Sequence, residues 1–169
     1  KLHPALVAAT IALVFAIAAS SATAGTRFGY HAGFDAPQTP AELDRVGVLK
    51  VGPKKAENVL VLNAGTSSSA AYFRPLARFV VSETPGWQVW AVERRENLLE
   101  DQSVVDQAKD GTATHQRLFD YYLRYLTDSR ITDHYTPVPD SAVPFARAWG
   151  MRVAVEDLRR VVKKANRLG

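Results

Sequence analysis

The sequence predicts an α/β fold, a parallel sheet flanked by helices. Three observations carry this expectation. Val59-Leu60-Val61-Leu62 is apolar at every position, so both faces of that strand must be covered, as in parallel sheets sandwiched by helices. An amphipathic stretch separates it from a second β-rich run, Trp87 to Val92. Strand, loop, helix and strand within about thirty residues make a βαβ unit whose two strands are parallel neighbours. Two more stripes with helical spacing follow, at 115–127 and 148–168.

Each segment has its own reading. Lys1 precedes an uncharged apolar run, Ala5 to Ala19, followed by small residues that include Ala22-Thr23-Ala24. A positive start, a short apolar core and an A-x-A site form a secretory signal peptide. The run falls short of the ~20 residues that span a bilayer. Residues 1–24 are therefore read as a signal, with Gly25 opening a mature part at 25–169. The chain does not begin with Met, which suggests that it is a fragment. Residues 25–44 carry Gly and Pro without sustained periodicity and read as a mostly extended leading segment. Val46 to Val51 is a short β-rich run closed by Gly52-Pro53.

Ala70 to Ser82 reads as a helix with Tyr72, Phe73, Leu76, Phe79 and Val80 on its apolar stripe. Pro75 then belongs in the first turn, where its missing N–H does no harm. Pro85-Gly86 breaks the chain before the second strand, and a charged loop, Glu93 to Asn97, follows it. His115 to Thr127 keeps Leu118, Phe119, Tyr122, Leu123 and Leu126 on one face. Residues 128–145 hold three prolines and read as loop. Ala148 to Leu168 is the longest periodic helix, with Met151, Ala154, Val155, Leu158, Val161, Val162, Ala165 and Leu168 in register. Gly169 stands where a C-cap glycine belongs.

Composition narrows the function. With 47% apolar and 22% charged residues among 169, the chain is globular in type. A net charge of +4 is too small and too scattered to indicate nucleic-acid binding. Its densest cluster, Arg159, Arg160, Lys163, Lys164 and Arg167, lies on a predicted helix as a solvated face. Without cysteine, the core alone must stabilise the fold. No His/Asp/Glu group has metal-ligand spacing, and no Walker-type phosphate loop occurs, so neither a metal nor a cofactor is expected. His31 and His134 are assigned to loops and His115 to a helix start, as surface or capping residues.

The most informative stretch is Asn63 to Ser69, Asn-Ala-Gly-Thr-Ser-Ser-Ser. A loop leaving the carboxyl end of a parallel strand for a helix sits at the usual ligand edge of such a sheet. Backbone N–H groups at a helix start stabilise negative charge there. Gly65 permits a tight turn and close approach. The hydroxyl run also suits plain N-capping, and both readings stay open at this point.

The block VLVLNAGTSSSAAYFRPLAR, the strand Trp87 to Val92 and the segment Val155-Glu156-Asp157-Leu158 occur in a telling order. From about Val48 to Gly169 the chain resembles the N-terminal half of the α/β-hydrolase fold of secreted bacterial serine hydrolases. The resemblance implies that Gly65 matches the motif glycine. It also implies that Thr66 supplies an oxyanion-hole N–H. Ala64 stands where the family often has His, and Glu93-Arg94-Arg95-Glu96 departs from its Asp-x-x-Gly turn. No G-x-S-x-G occurs, so the nucleophile elbow and the rest of a Ser-Asp-His triad are expected beyond Gly169. Without the strand that would carry the nucleophile, Val59 to Leu62 would form an apolar sheet edge.

The expected function is therefore hydrolysis of a small-molecule ester or related acyl bond outside the cytoplasm, secreted or periplasmic. Membrane contact would be transient, through the signal segment. Two alternatives remain. One is a non-catalytic exported binding protein on the same scaffold. The other is a phosphotransferase, since Asn63 to Ser68 is similar to a phosphate-contacting loop of acetate kinases. That loop opens a hairpin, whereas here it opens a helix, and export argues against ATP use.

Overall fold

The computed structural model describes residues 25–65 and 68–167. The signal-peptide reading, Leu168 and the capping role of Gly169 lie outside those residues. Among the described residues, no helix is long and apolar enough to cross a membrane.

Among the described residues, four strands form one sheet: β1 (Thr26–Ala32), β2 (Arg45–Val51), β3 (Asn58–Asn63) and β4 (Trp87–Glu93). Four α-helices accompany them: α1 (Arg74–Glu83), α2 (Ser103–Lys109), α3 (His115–Tyr122) and α4 (Met151–Ala165). The strand order is β1-β2-β4-β3. The βαβ expectation holds, because β3 and β4 pair in parallel, Asn58 opposite Trp87 through Asn63 opposite Val92. The rest of the sheet corrects the expectation of a parallel sheet. β1 and β2 are antiparallel, and so are β2 and β4. Only a crossover of a dozen or more residues lets successive strands run in parallel. The link from β2 to β3 is short and places them apart, and β2 enters the sheet beside β4 in the opposite sense.

The apolar run Val59 to Leu62 forms the sheet edge expected of it in this chain. β3 is an edge strand of the described sheet, and its apolar residues are half-buried. β4 is an interior strand, with Gln88 through Glu93 all buried. Both faces of β3 nevertheless meet the core: Val59 and Val61 pack toward α4, Leu60 and Leu62 toward α1. The all-apolar pattern therefore reports two covered faces and says nothing about whether the strand is paired on both sides.

One core layer joins Val46, Val48, Trp90 and Val92 of the sheet to Val161 and Ala165 of α4. The opposite layer joins Leu49, Val51, Val89 and Ala91 to Ala70 and Ala77. A smaller cluster of Ala36, Trp149 and Val153 closes one end. Gly52 ends β2 at φ +112°, a backbone conformation that other residues rarely adopt.

The helices match the predicted segments in position, but their packed faces turn. The 70–82 helix begins as a 3₁₀ turn at Ala70–Phe73 and continues as α1, with Pro75 in its first turn. Tyr72, Leu76 and Phe79 are exposed, while Phe73, Ala77, Val80 and Val81 meet the sheet. Small Ala77 lets the helix approach closely, and the bulkier stripe is left outside. In α3, which Thr114 caps through its hydroxyl, Phe119 and the following Leu123 and Leu126 are exposed. In α4 the buried positions are Val153, Asp157, Val161 and Ala165, and Met151, Val155 and Val162 face outward. A buried aspartate on the core stripe is what shifted that reading.

Two further corrections concern local structure. His31 lies in β1, not in a loop. Within the 97–146 stretch, α2 is a helix that the sequence pattern did not reveal, only seven residues long and with a single buried side chain, Val104.

Candidate functional site

The parallel pair brings the carboxyl ends of β3 and β4 side by side, and the loop from Asn63 begins there. Ala64 is buried and Gly65 is exposed. Gly65 does not take a left-handed φ, and a Cβ on it would meet nothing within 4 Å. Thr66, the other predicted oxyanion-hole residue, lies outside the described residues. Ser69 precedes the 3₁₀ turn in an extended conformation and makes no side-chain cap. Capping by the Ser69 hydroxyl is therefore not realised.

A carboxylate from the next strand takes the cap's place. The Ala70 N–H donates to Glu93 Oε2 at 2.6 Å, and the Asn97 side-chain amide donates to Glu93 Oε1. Glu93 ends β4 opposite Gly47 of β2. A Cβ at Gly47 would stand 2.6 Å from Glu93 Cβ, so glycine makes the room that Glu93 needs. Burial pushes the Glu93 carboxyl above its ordinary value; the Ala70 N–H opposes this and the charge of Glu100 adds to it. Burial likewise raises the Tyr30 hydroxyl, helped by the charges of Glu93 and Glu100. Glu93 stood in the sequence as the first residue of a charged loop. What could have marked it is its position right after the apolar run Val89 to Val92, since a carboxylate there must find donors.

Beside it, Arg95 is about 1% exposed and fully engaged. Its Nε and Nη2 donate to the two oxygens of Asp157, both at 2.8 Å. Nη1 donates to Asp44 Oδ1 at 2.6 Å, and Nη2 also to the Phe34 carbonyl at 2.7 Å. Asp157 in turn accepts the Phe34 N–H at 2.6 Å. This network ties the leading segment, the end of β4 and α4 together. It borders a cavity of about 30 Å³ against Asn63, Val92, Glu96 and Trp149, which has room for a single water. In the sequence Arg95 falls within the charged Glu93 to Asn97 loop, and nothing local marks Asp157 or Asp44 as its partners.

His134 stacks on Tyr125, and its Nδ1 lies 2.8 Å from the Tyr135 carbonyl. His115 opens α3. Neither lies on the Glu93–Ala70 junction. Among the described residues, no group of three or more His, Asp or Glu is placed to hold a metal ion.

No protein-family model matches the chain, and no curated protein matches it. Among solved structures it is similar to one titled Bacterial Heroin Esterase, at 20% identity and a TM-score of 0.33. The similarity covers 65% of this chain and 39% of that one.

Proposed function

We propose that this chain is the oxyanion-hole part of an exported serine hydrolase of the α/β-hydrolase fold, acting on an ester or related acyl bond. The observation that carries the reading is the Asn63–Ser69 loop. It leaves the carboxyl end of β3 within the one parallel pair of the described sheet, and the helical segment it enters is held at Ala70 by the Glu93 carboxylate. A strand-to-helix loop at that edge is where an α/β fold presents backbone donors to a ligand.

In this reading the N–H of Thr66 stabilises the oxyanion of a tetrahedral intermediate, and Gly65 leaves the approach open. One such donor contributes about 3–4 kcal/mol to the transition state in acyl transfer. The nucleophile, its histidine base and the orienting acid lie in chain beyond Gly169. The 97–146 segment forms the approach to the pocket. Export follows from the signal-type residues 1–24. The chemistry requires neither a metal nor a cofactor.

The test is the coding sequence downstream of Gly169, together with the behaviour of the protein it encodes. A strand followed by G-x-S-x-G, labelling of that serine by a fluorophosphonate, and hydrolysis of p-nitrophenyl acetate are expected. A stop codon directly after Gly169, or a continuation without an elbow and without labelling, refutes the reading and favours a binding protein on the same scaffold.

A further inference from the structure

On the sheet face covered by α4, one corner is lined by positive groups. Arg27 and His31 of β1 project to this face, and Arg27 stands opposite Lys50 of β2 in the strand register. Like charges placed directly across strands repel. Lys50 reaches over the Trp90 ring, 3.8 Å from its centre. From α4, Lys164 Nζ approaches His31 Nδ1 at 3.0 Å. Arg160, one turn earlier, forms no ion pair among the described residues, and neither does Lys164. Between them lies a cavity of about 150 Å³ walled by His31, Ala32, Val46, Arg160, Val161 and Lys164. Among the described residues, no carboxylate lines it.

The hydrogen-bond inventory of this corner is one-sided. An ammonium can only donate, so Lys164 places its proton on the His31 Nδ1 lone pair. The imidazole must then carry its own hydrogen on Nε2. That Nε2 is buried and has no partner. Buried polar atoms are almost always paired, and an orphan calls for a missing partner. The Arg160 guanidinium and the Lys164 ammonium add donors and no acceptors. Positive charge near the C-terminus of α4 suits the helix dipole. The dipole explains Lys164 alone, and not Arg160 a turn earlier or His31 on the facing strand.

We propose that this corner is an anion-binding site for a phosphate group, presented by inorganic phosphate or a small phosphomonoester. A tetrahedral oxyanion in the cavity supplies acceptors to the Arg160 and Lys164 donors that wall it. Its charge also offsets the mutual repulsion of Arg27, Lys50, Arg160 and Lys164. The planar fork of Arg160 gives two-point contact with such a group. Burial, then Lys164 and Lys50, hold His31 below its ordinary value. Burial, then Lys164 and Arg27, do the same to Lys50. A bound anion reverses the charge contribution for both. The site is independent of the hydrolase reading and uses none of its residues.

The experiment follows the His31 ring resonances of the full chain by NMR while inorganic phosphate, glycerol phosphate or sodium chloride is added at matched ionic strength. Saturable shifts with a Kd of about 1 mM or tighter are expected for either phosphate, with a rise in the His31 pKa. Chloride should produce neither. Arg160→Gln and Lys164→Gln should each weaken binding by about tenfold or more, since each removes a charge-assisted contact. Lys163→Gln, on the same helix but outside the cavity wall, should bind as the parent does. All three positions are exposed and glutamine is a good helix former, so folding is retained. Equal response to chloride, or unchanged binding in Arg160→Gln and Lys164→Gln, overturns the proposal. Vesicles of phosphatidylglycerol form a further arm. Retention on them without a response to dissolved phosphate overturns the assignment to a small ligand.

Discussion

Asp157→Ala is the most informative test of how this fold is held together. Asp157 sits on the buried stripe of α4 with a side chain about 7% exposed, against an Arg95 side chain about 1% exposed. The substitution deletes the two Arg95 contacts at 2.8 Å and the acceptor of the Phe34 N–H. Arg95 keeps Asp44 and the Phe34 carbonyl, so its charge retains one carboxylate partner while its Nε–H and the Phe34 N–H are left buried without an acceptor. Removing one partner of a buried pair costs about 3–5 kcal/mol, because the other charge stays buried. The contact that Asp44 retains places this case at about 3–4 kcal/mol, a large share of the ~5–15 kcal/mol that stabilises a typical domain. Urea unfolding followed by circular dichroism reads the effect. With a slope of about 2 kcal/mol/M, the midpoint should fall by about 1.5–2 M. Combining Arg95→Met with Asp157→Leu removes both charges, so the pair should be less destabilising than the sum of its parts by at least about 1 kcal/mol. A midpoint shift below about 0.5 M for Asp157→Ala, or strict additivity in the double variant, refutes the reasoning.

Two other changes bear on the Glu93 junction. The folded-state pKa of Glu93 is raised, burial being the chief cause. Its protonated form is thus favoured in the folded chain, and that contribution to stability is fully present below the ordinary 4.5 and lost as pH rises through the raised value. Urea midpoints of the parent relative to Glu93→Gln should accordingly fall as pH rises through that window, and a flat difference would contradict the burial argument. Gly47→Ala places a methyl 2.6 Å from Glu93 Cβ and about as near the Phe28 and Tyr30 rings, at 3.0 and 3.1 Å. It should destabilise by about 1–3 kcal/mol, whereas Gly29→Ala, with nothing within 4 Å, should stay within about 0.5 kcal/mol of the parent in the same melts.

The sequence by itself determined where β2, β3, β4, α1, α3 and α4 form. The apolar run of β3, the Pro75 start of α1, the Gly86 break and the long period of α4 are local signals, and local backbone chemistry settles them. The parallel pairing of β3 and β4 was legible for the same reason, since the crossover between them lies within one short stretch. The Asn63–Ser69 loop was legible as a candidate site because its position follows from that pairing.

Tertiary structure alone decided the rest. The direction of β2 beside β4 depends on where the chain re-enters the sheet, which no periodicity encodes. Which face of α1 packs was set by Ala77, whose small side chain permits close approach, against the bulkier stripe that hydrophobicity favoured. Asp157, Arg95 and Glu93 looked like solvent-facing charges because charged residues are rarely buried unless paired. Their partners are 62 positions apart for Arg95 and Asp157, and 23 apart for Glu93 and Ala70. A buried charge is stable only where donors from distant segments converge on it, and that convergence exists only once the sheet has formed.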